Sequence, residues 1–445
     1  MQNTKGTCFD GIRSVYSPFA LPQGTSAQNE PFLSLVAGRC QARTRTNPKA
    51  DPGQIRLDLT SDMNTDSIVS PEDQRVTFVE LFFDLVFVFS VTQTVGILHD
   101  GIAFGTVAQA VLLFWLIWWA WTQFTWALNA ANTDHSRIQL MTLAATAVAF
   151  FMAVSVPAAF EGAALWFAGP YVVVRGLGLL IYTWAAAADE LQMKAVRTFA
   201  LVSMGGLAAV LVGAAVGGDS LYYFWGLAIF LDIIAAGIGG REEGWNLHPA
   251  HFVERHGLIV IIALGESLIV AAGGLAAAPQ GKSLIAVGFL AVALTCALWW
   301  SYFPYVRPRL EEALERLTGA ERSEAARDVF SLAHFPMLCG IVGVAAALEE
   351  AIAHPHEALS IGPRAAFGGG LVLFLGGTAL AKWLATGHVS LVRIVVVVVT
   401  AVAVIAPPAI PSYATLFVGL VGALAVVFIE HRAVKTTGFV PTANP

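Results

Sequence analysis

From Arg75 onward the chain is a succession of apolar runs broken by short polar loops, and the runs have the length of membrane spans. A helix rises 1.5 Å per residue, so crossing the hydrocarbon takes about 20 mostly apolar residues. Twelve stretches meet that requirement, with cores at 78–98, 103–127, 138–158, 163–185, 194–215, 219–239, 251–275, 282–305, 327–350, 364–385, 389–407 and 411–431. The pattern predicts an all-α polytopic membrane protein of about twelve transmembrane helices. Only "APPAIPS" separates the last two runs, so a single kinked re-entrant element is the alternative there.

Residues 1–74 read differently. They are rich in Ser, Thr, Asn, Gln, Pro and Gly, and their one apolar patch, "PFLSLVAG", is too short for a signal-peptide core. A disordered cytoplasmic tail is expected there, with Met63 as an alternative start just ahead of the first span. A first six-helix half at 75–245, a second at 246–432 and a short cytoplasmic tail at 433–445 complete the expected layout.

Composition agrees with this reading. Hydrophobic residues make up 56% of the 445 and charged residues 13%, against about 25% charged in soluble domains. Of the 25 Lys and Arg, only Lys282 and Arg364 fall in loops on the far side, and Arg175 lies within a span. The rest lie in the tail or the tail-side loops, so the positive-inside rule puts both termini in the cytoplasm and supports an even number of spans. Cys8, Cys40, Cys296 and Cys339 share no ligand-like spacing, which argues against a disulfide frame or a metal site. No basic stripe with interleaved aromatics marks nucleic acid as a partner. No phosphate loop, nucleophile elbow or His-Glu-x-x-His gives soluble-type enzymology or a cofactor a foothold. The expected partners are the lipid bilayer and a small solute or cation.

A weak internal echo supports two halves. "TFVELFFDL" opens span one and "HFVERHGLI" opens span seven, so Phe78-Val79-Glu80 aligns with Phe252-Val253-Glu254. Trp118-Trp119 with Trp299-Trp300, Arg137 with Arg327, Glu161 with Glu349 and Arg241 with Arg432 follow in order. Six spans per repeat is even, so the repeats would be parallel, related by an axis along the membrane normal.

The candidate chemistry lies in charges within the spans. A charge at the bilayer centre costs ~2.5–3.5 kcal/mol on insertion scales, so each needs a reason. Glu80 and Asp84 are four apart and share a helix face, with Thr77 beside them. Arg175 and Asp232 lie deep in spans four and six, Glu266 deep in span seven, and His334 two turns into span nine. Four acids against one deep base, Arg175, leave acids that must be protonated, bind a cation or line a wet cavity. The structural alternative is that each is paired to fix helix packing. At the cytoplasmic mouth of span seven, "NLHPAHFVERHG" places His251, Glu254 and Arg255 together with His248 and His256. His251 and Glu254 share a face, but a capped helix start at Pro249 with solvated imidazoles is the simpler reading. "NTDHSR" likewise reads as the start of span three, with Thr133 or Asp134 as N-cap. Trp126, Trp184, Trp245 and Trp383 fall at predicted interfaces, while Trp115, Trp118 and Trp119 pack deeper or line a site for a planar apolar ligand.

The stretches "VELFFDLVFVFSVTQ", "NTDHSR", "ERHGLIVIIALGESLIV" and, more loosely, "AHFPMLCGIVGVAAALEE" resemble the bacterial low temperature requirement A (LtrA) proteins, in order over about residues 75–430. The resemblance implies a polytopic inner-membrane protein and weights Glu80, Asp84, Glu254, Arg255, Gly265 and Glu266 as motif positions. It supplies no substrate, and His256 stands where family members often carry Phe. Phe83-Asp84 is distantly similar to the first-span motif of potassium channels built of two six-helix repeats. The expectation is a proton- or cation-coupled secondary transporter with Glu80, Asp84, Asp232, Glu266 and His334 along its pathway and Arg175 as counter-charge. A cation channel, or a membrane sensor or enzyme binding an apolar ligand, is the alternative.

Overall fold

A computed structural model describes residues 67–99, 101–241, 244–277, 281–407 and 410–437. The helices are α1 Phe78–Ile97, α2 Phe104–Ala130, α3 Ser136–Val154, α4 Ala164–Ala185, α5 Glu190–Val216, α6 Ser220–Gly239, α7 Pro249–Ala277 and α8 Lys282–Tyr302. After them come α9 Arg307–Arg316, α10 Gly319–Ala325, α11 His334–Ala353, α12 Ile361–Leu371, α13 Gly377–Thr386, α14 Leu391–Ile405 and α15 Ser412–Thr437. Two π-helical turns, Ala326–Leu332 and Val372–Gly376, join α10 to α11 and α12 to α13. Among the described residues β-structure is confined to two isolated bridges, Val69 with Ala131 and Ala358 with Pro411.

Among the described residues eleven helical stretches are long and apolar enough to cross a membrane, and Leu391–Ile405 is a shorter twelfth apolar helix. The protein is therefore an all-α polytopic membrane protein, with the apolar runs in the predicted order. Ser412, the last residue of "APPAIPS", starts a separate helix. Its first residue is tied down by Ser412 N–H to Glu357 O at 2.8 Å and Ser412 Oγ to His354 O at 2.7 Å, and the helix is long enough to cross a membrane without Leu391–Ile405. The tail expected at 1–74 lies outside the described residues up to 66. Its last part is held in place: Asn132 N–H donates to Ile68 O at 2.8 Å and Gln74 Nε2 to Leu128 O at 2.9 Å. At the other end α15 runs on through the start of the expected 433–445 tail. Span three starts one residue later than expected: His135, not Thr133 or Asp134, is the N-cap, with its Nδ1 accepting from Arg137 N–H at 3.1 Å.

A helix that is apolar all round belongs inside a bundle. α2 shows this: almost every side chain from Leu113 to Ala130 is buried. It packs against α1, α4, α6, α7 and α11, while α7 packs against α1, α8, α9 and α11. Contact between α1 and α7 therefore joins the two halves of the sequence. Its polar contacts rise in step along both helices, Glu80 meeting His251 and Asp84 meeting Arg255, so the two run parallel.

Candidate functional site

The start of α1 shapes the site. Thr77 is its N-cap, and both its backbone N–H and its hydroxyl donate to Glu80 Oε2 at 2.9 Å. One carboxylate oxygen thus closes the first turn of the helix, and the other faces α7. There Glu80 Oε1 accepts from Arg255 Nη1 at 2.9 Å and meets His251 Nε2 at 3.0 Å. One turn on, Asp84 Oδ1 accepts from Arg255 Nη2 and from Trp121 Nε1 of α2, the latter at 2.8 Å. Arg255 also lies over the Trp121 ring, 5.7 Å from its centroid. All four polar side chains are buried. Asp84 and Arg255 each sit six residues into their helices, about 9 Å along at 1.5 Å per residue. Parallel helices starting at one level therefore bring them face to face.

The proton on His251 can be placed from its neighbours. Asn129 Oδ1 accepts from His248 N–H at 2.9 Å, which fixes the amide orientation because a backbone N–H can only donate. Asn129 Nδ2 then donates to His248 O at 3.0 Å and to His251 Nδ1 at 3.0 Å. With Nδ1 accepting, Nε2 carries the hydrogen and gives it to Glu80. The cluster then contains two carboxylates, one guanidinium and a neutral imidazole, and has one formal negative charge too many. Asp84 Oδ2 is buried without a hydrogen-bond partner. A buried carboxylate oxygen left open in this way is costly unless it is protonated or meets a cation.

The other sequence-predicted residues do not converge on this point. Arg175 pairs with Asp232, Nη2 to Oδ1 at 3.0 Å, and its Nη1 donates to Tyr171 OH at 2.7 Å. Gln123 of α2 completes that brace, accepting from Arg175 Nε and donating from Nε2 to Arg175 O at 2.9 Å. The expectation that four acids face a single deep base is thus corrected: Arg255, placed at the mouth by the sequence reading, is the buried partner of Glu80 and Asp84. Glu266 lies apart on α7, beside Thr92 of α1, and its Oε1 has no partner. His334 is buried against Tyr302, whose hydroxyl is 2.8 Å from Nε2, and its Nδ1 donates to Val329 O at 2.8 Å.

At the mouth of α7, Glu254 is exposed while His251 and His256 are buried, so His251 and Glu254 form no common site and the imidazoles are not solvated. Among the described residues no group of three His, Cys, Asp or Glu side chains is placed to hold a metal ion. His256 fills an aromatic nest, edge-on to Trp121 at 5.1 Å and against Phe252 at 4.4 Å and Phe330 at 5.2 Å. Of the deep tryptophans of α2, Trp118 Nε1 donates to Ser331 O at 2.7 Å and Trp115 stacks on Trp119 at 5.5 Å, while Trp119 also lines a pocket with Trp126, Tyr182 and Trp245.

Trp121 and Asn129 have no sequence signal because α2 is mostly apolar and its few polar residues define no periodic face. His251 and Arg255 carried a usable signal, since i and i+4 share a helix face just as Glu80 and Asp84 do.

No solved structure matches the chain. Among curated proteins it is similar to "Uncharacterized protein RA0937" of Rhizobium meliloti (strain 1021). The identity is 25% over 374 residues, covering 82% of this chain and 91% of the relative. Residues 75–428 match the family described as "Bacterial low temperature requirement A protein (LtrA)". That match takes in α1, α2, α7 and with them the whole Glu80–Asp84–Arg255–His251 cluster, and on it the chain belongs to the LtrA family.

Proposed function

We propose that this protein is a proton-coupled secondary transporter of the plasma (inner) membrane, with both termini in the cytoplasm and an unidentified small solute as cargo. The observation that carries the reading is the unbalanced cluster in the α1–α7 seam, with Asp84 Oδ2 open. One proton cancels the excess charge. On Asp84 Oδ2 it turns the acid into a donor; on His251 Nδ1 it would require the Asn129 amide to turn. Either choice redistributes the grip of Arg255 between Glu80 and Asp84, and so changes the contact between α1 and α7. A contact with two protonation-dependent arrangements is the element that alternating access requires. The Arg/Lys asymmetry of the loops supports the orientation. Arg175 and Asp232, balanced one to one, serve in this reading as a brace. Glu266, with an open oxygen further along α7, is the next acid on the path.

The test is proton flux in proteoliposomes holding a pH-sensitive dye under an imposed pH gradient. Wild type is expected to dissipate the gradient, and Asp84→Asn to slow it to the rate of protein-free vesicles. An inactive wild type, or a folded Asp84→Asn with wild-type flux, would sink the proposal. Passive current in planar bilayers unaffected by Asp84→Asn would favour a channel instead.

A further inference from the structure

A second ionic cluster lies between α9, α13, α14 and α15. Glu430 Oε1 and Oε2 are 3.2 and 3.0 Å from Lys382 Nζ. Oε1 also accepts from Arg393 Nη1, and Oε2 is 3.7 Å from Arg309 Nη1. Arg393 Nη2 donates to Thr378 Oγ1 and, at 3.2 Å, to Leu375 O in the π-helical turn Val372–Gly376. Arg309 lies at the edge, and the two buried cations Lys382 and Arg393 alone converge on one carboxylate with a formal excess of one positive charge. Lys382, Arg393 and Glu430 are all buried. An interior charge without a counter-charge is costly, so an excess of this sign asks for an anion.

Beside the cluster runs a groove of about 320 Å³. Its walls are apolar, including Leu375, Ala379, Leu380 and Val397, and Arg393 is its only charged lining residue. Arg393 Nε has no hydrogen-bond partner. Trp383 stands half exposed on the wall, as an indole at headgroup level does. Leu380, Ile394 and Val398, also on its walls, are exposed on the apolar outside of the helices.

We propose that the groove and the cluster together hold one anionic phospholipid, with an acyl chain along α13 and α14 and the phosphate against Arg393 and Lys382. The apolar groove calls for a chain as well as a phosphate, which a free phosphate lacks. A zwitterionic headgroup brings its own cation and would leave the excess positive charge in place. The inference does not depend on the proton-transport reading, because neither the groove nor the cluster shares a residue with the α1–α7 seam.

The test uses the full chain in detergent micelles doped with phosphatidylglycerol, phosphatidylcholine or inorganic phosphate, read by thermal unfolding and by native mass spectrometry of retained lipid. Phosphatidylglycerol is expected to raise Tm and to be retained well above phosphatidylcholine. Lys382→Gln should weaken its apparent affinity about five-fold, the factor for one cationic side chain near a lipid surface. Gly376→Leu fills the groove and leaves every charge in place. A Cβ at Gly376 meets nothing within 4 Å, so this variant should fold and lose the preference for phosphatidylglycerol even if Lys382→Gln fails to fold. Equal shifts from both lipids, the same shift from inorganic phosphate, or an undiminished preference in Gly376→Leu would each overturn the assignment.

Discussion

The α1–α7 seam and the α13–α15 corner are buried ionic clusters with opposite imbalances. The seam sets Glu80 and Asp84 against Arg255; the corner sets Lys382 and Arg393 against Glu430, with Arg309 at its edge. Between these extremes, Arg175 and Asp232 match one to one and carry supporting bonds from Tyr171 and Gln123. A balanced pair whose remaining donors are satisfied, as these are by Tyr171 and Gln123, calls for no further charge. An unbalanced cluster needs a further charge, either a proton or a bound ion. Stoichiometry, rather than burial or depth, therefore separates the bracing pair from the clusters that call for a further charge.

The largest effect is expected from removing the common cation of the seam. Arg255→Met strands two buried carboxylates and is expected to cost about 3–5 kcal/mol, as broken buried pairs do, measured by thermal or denaturant unfolding in detergent. Asp232→Asn leaves Arg175 without its counter-charge but with Tyr171 and Gln123 still in place. A loss at the lower end of that range, about 3 kcal/mol, is expected in the same assay. Asp84→Asn should behave differently, because it removes the excess charge while Arg255 keeps Glu80 and Trp121 keeps an acceptor. Its stability is expected within about 1 kcal/mol of wild type. A loss as large as that of Asp232→Asn would mean that Asp84 is structural and the comparison fails.

Smaller effects sharpen the boundary of the seam. Glu254→Gln, on the exposed face of α7, is expected to change stability by no more than about 0.5 kcal/mol and to leave proton flux unchanged. A flux defect would extend the site to that face. His248, in the loop before α7, meets Ser70 Oγ at 2.7 Å, and burial holds its imidazole below the usual value. Its contribution is present above the ordinary histidine value near 6.5. It weakens as pH falls through that value toward the folded one, because only the unfolded chain then binds the proton. Proteolysis or hydrogen exchange of residues 67–74 should rise between pH 7.5 and pH 5.5, and less so in His248→Gln.

Much of the fold was legible because membrane spans obey a length rule that a single sequence displays. The apolar runs of α1–α8 are helices close to their expected bounds, whereas α11 starts at His334, inside its expected 327–350 and behind a π-helical turn, and α15 runs past 431 to Thr437. The π-helical turn inside the tenth span had no apolar or polar signature, and Leu391–Ile405 is short for a span. Glu80 and Asp84 were legible as a pair from their spacing of four. Their partner was not, since Arg255 looked like one more tail-side cation near a helix start. Lys382 and Arg393 were likewise counted as topology signals, with nothing in their neighbourhood to announce Glu430.

That this chain is a polytopic helical membrane protein, where most of its helices begin and end, and that Glu80 and Asp84 share a face all follow from the order of residues along it. Those properties depend on hydrophobic length and helical period, which are local. Which base meets which acid depends on the rotation and depth of helices far apart in the chain. Only the tertiary structure decided that Arg255 faces Asp84, that Arg175 is occupied by Asp232, and that Lys382 and Arg393 crowd onto Glu430. A net charge in the interior exists only once helices have chosen their neighbours.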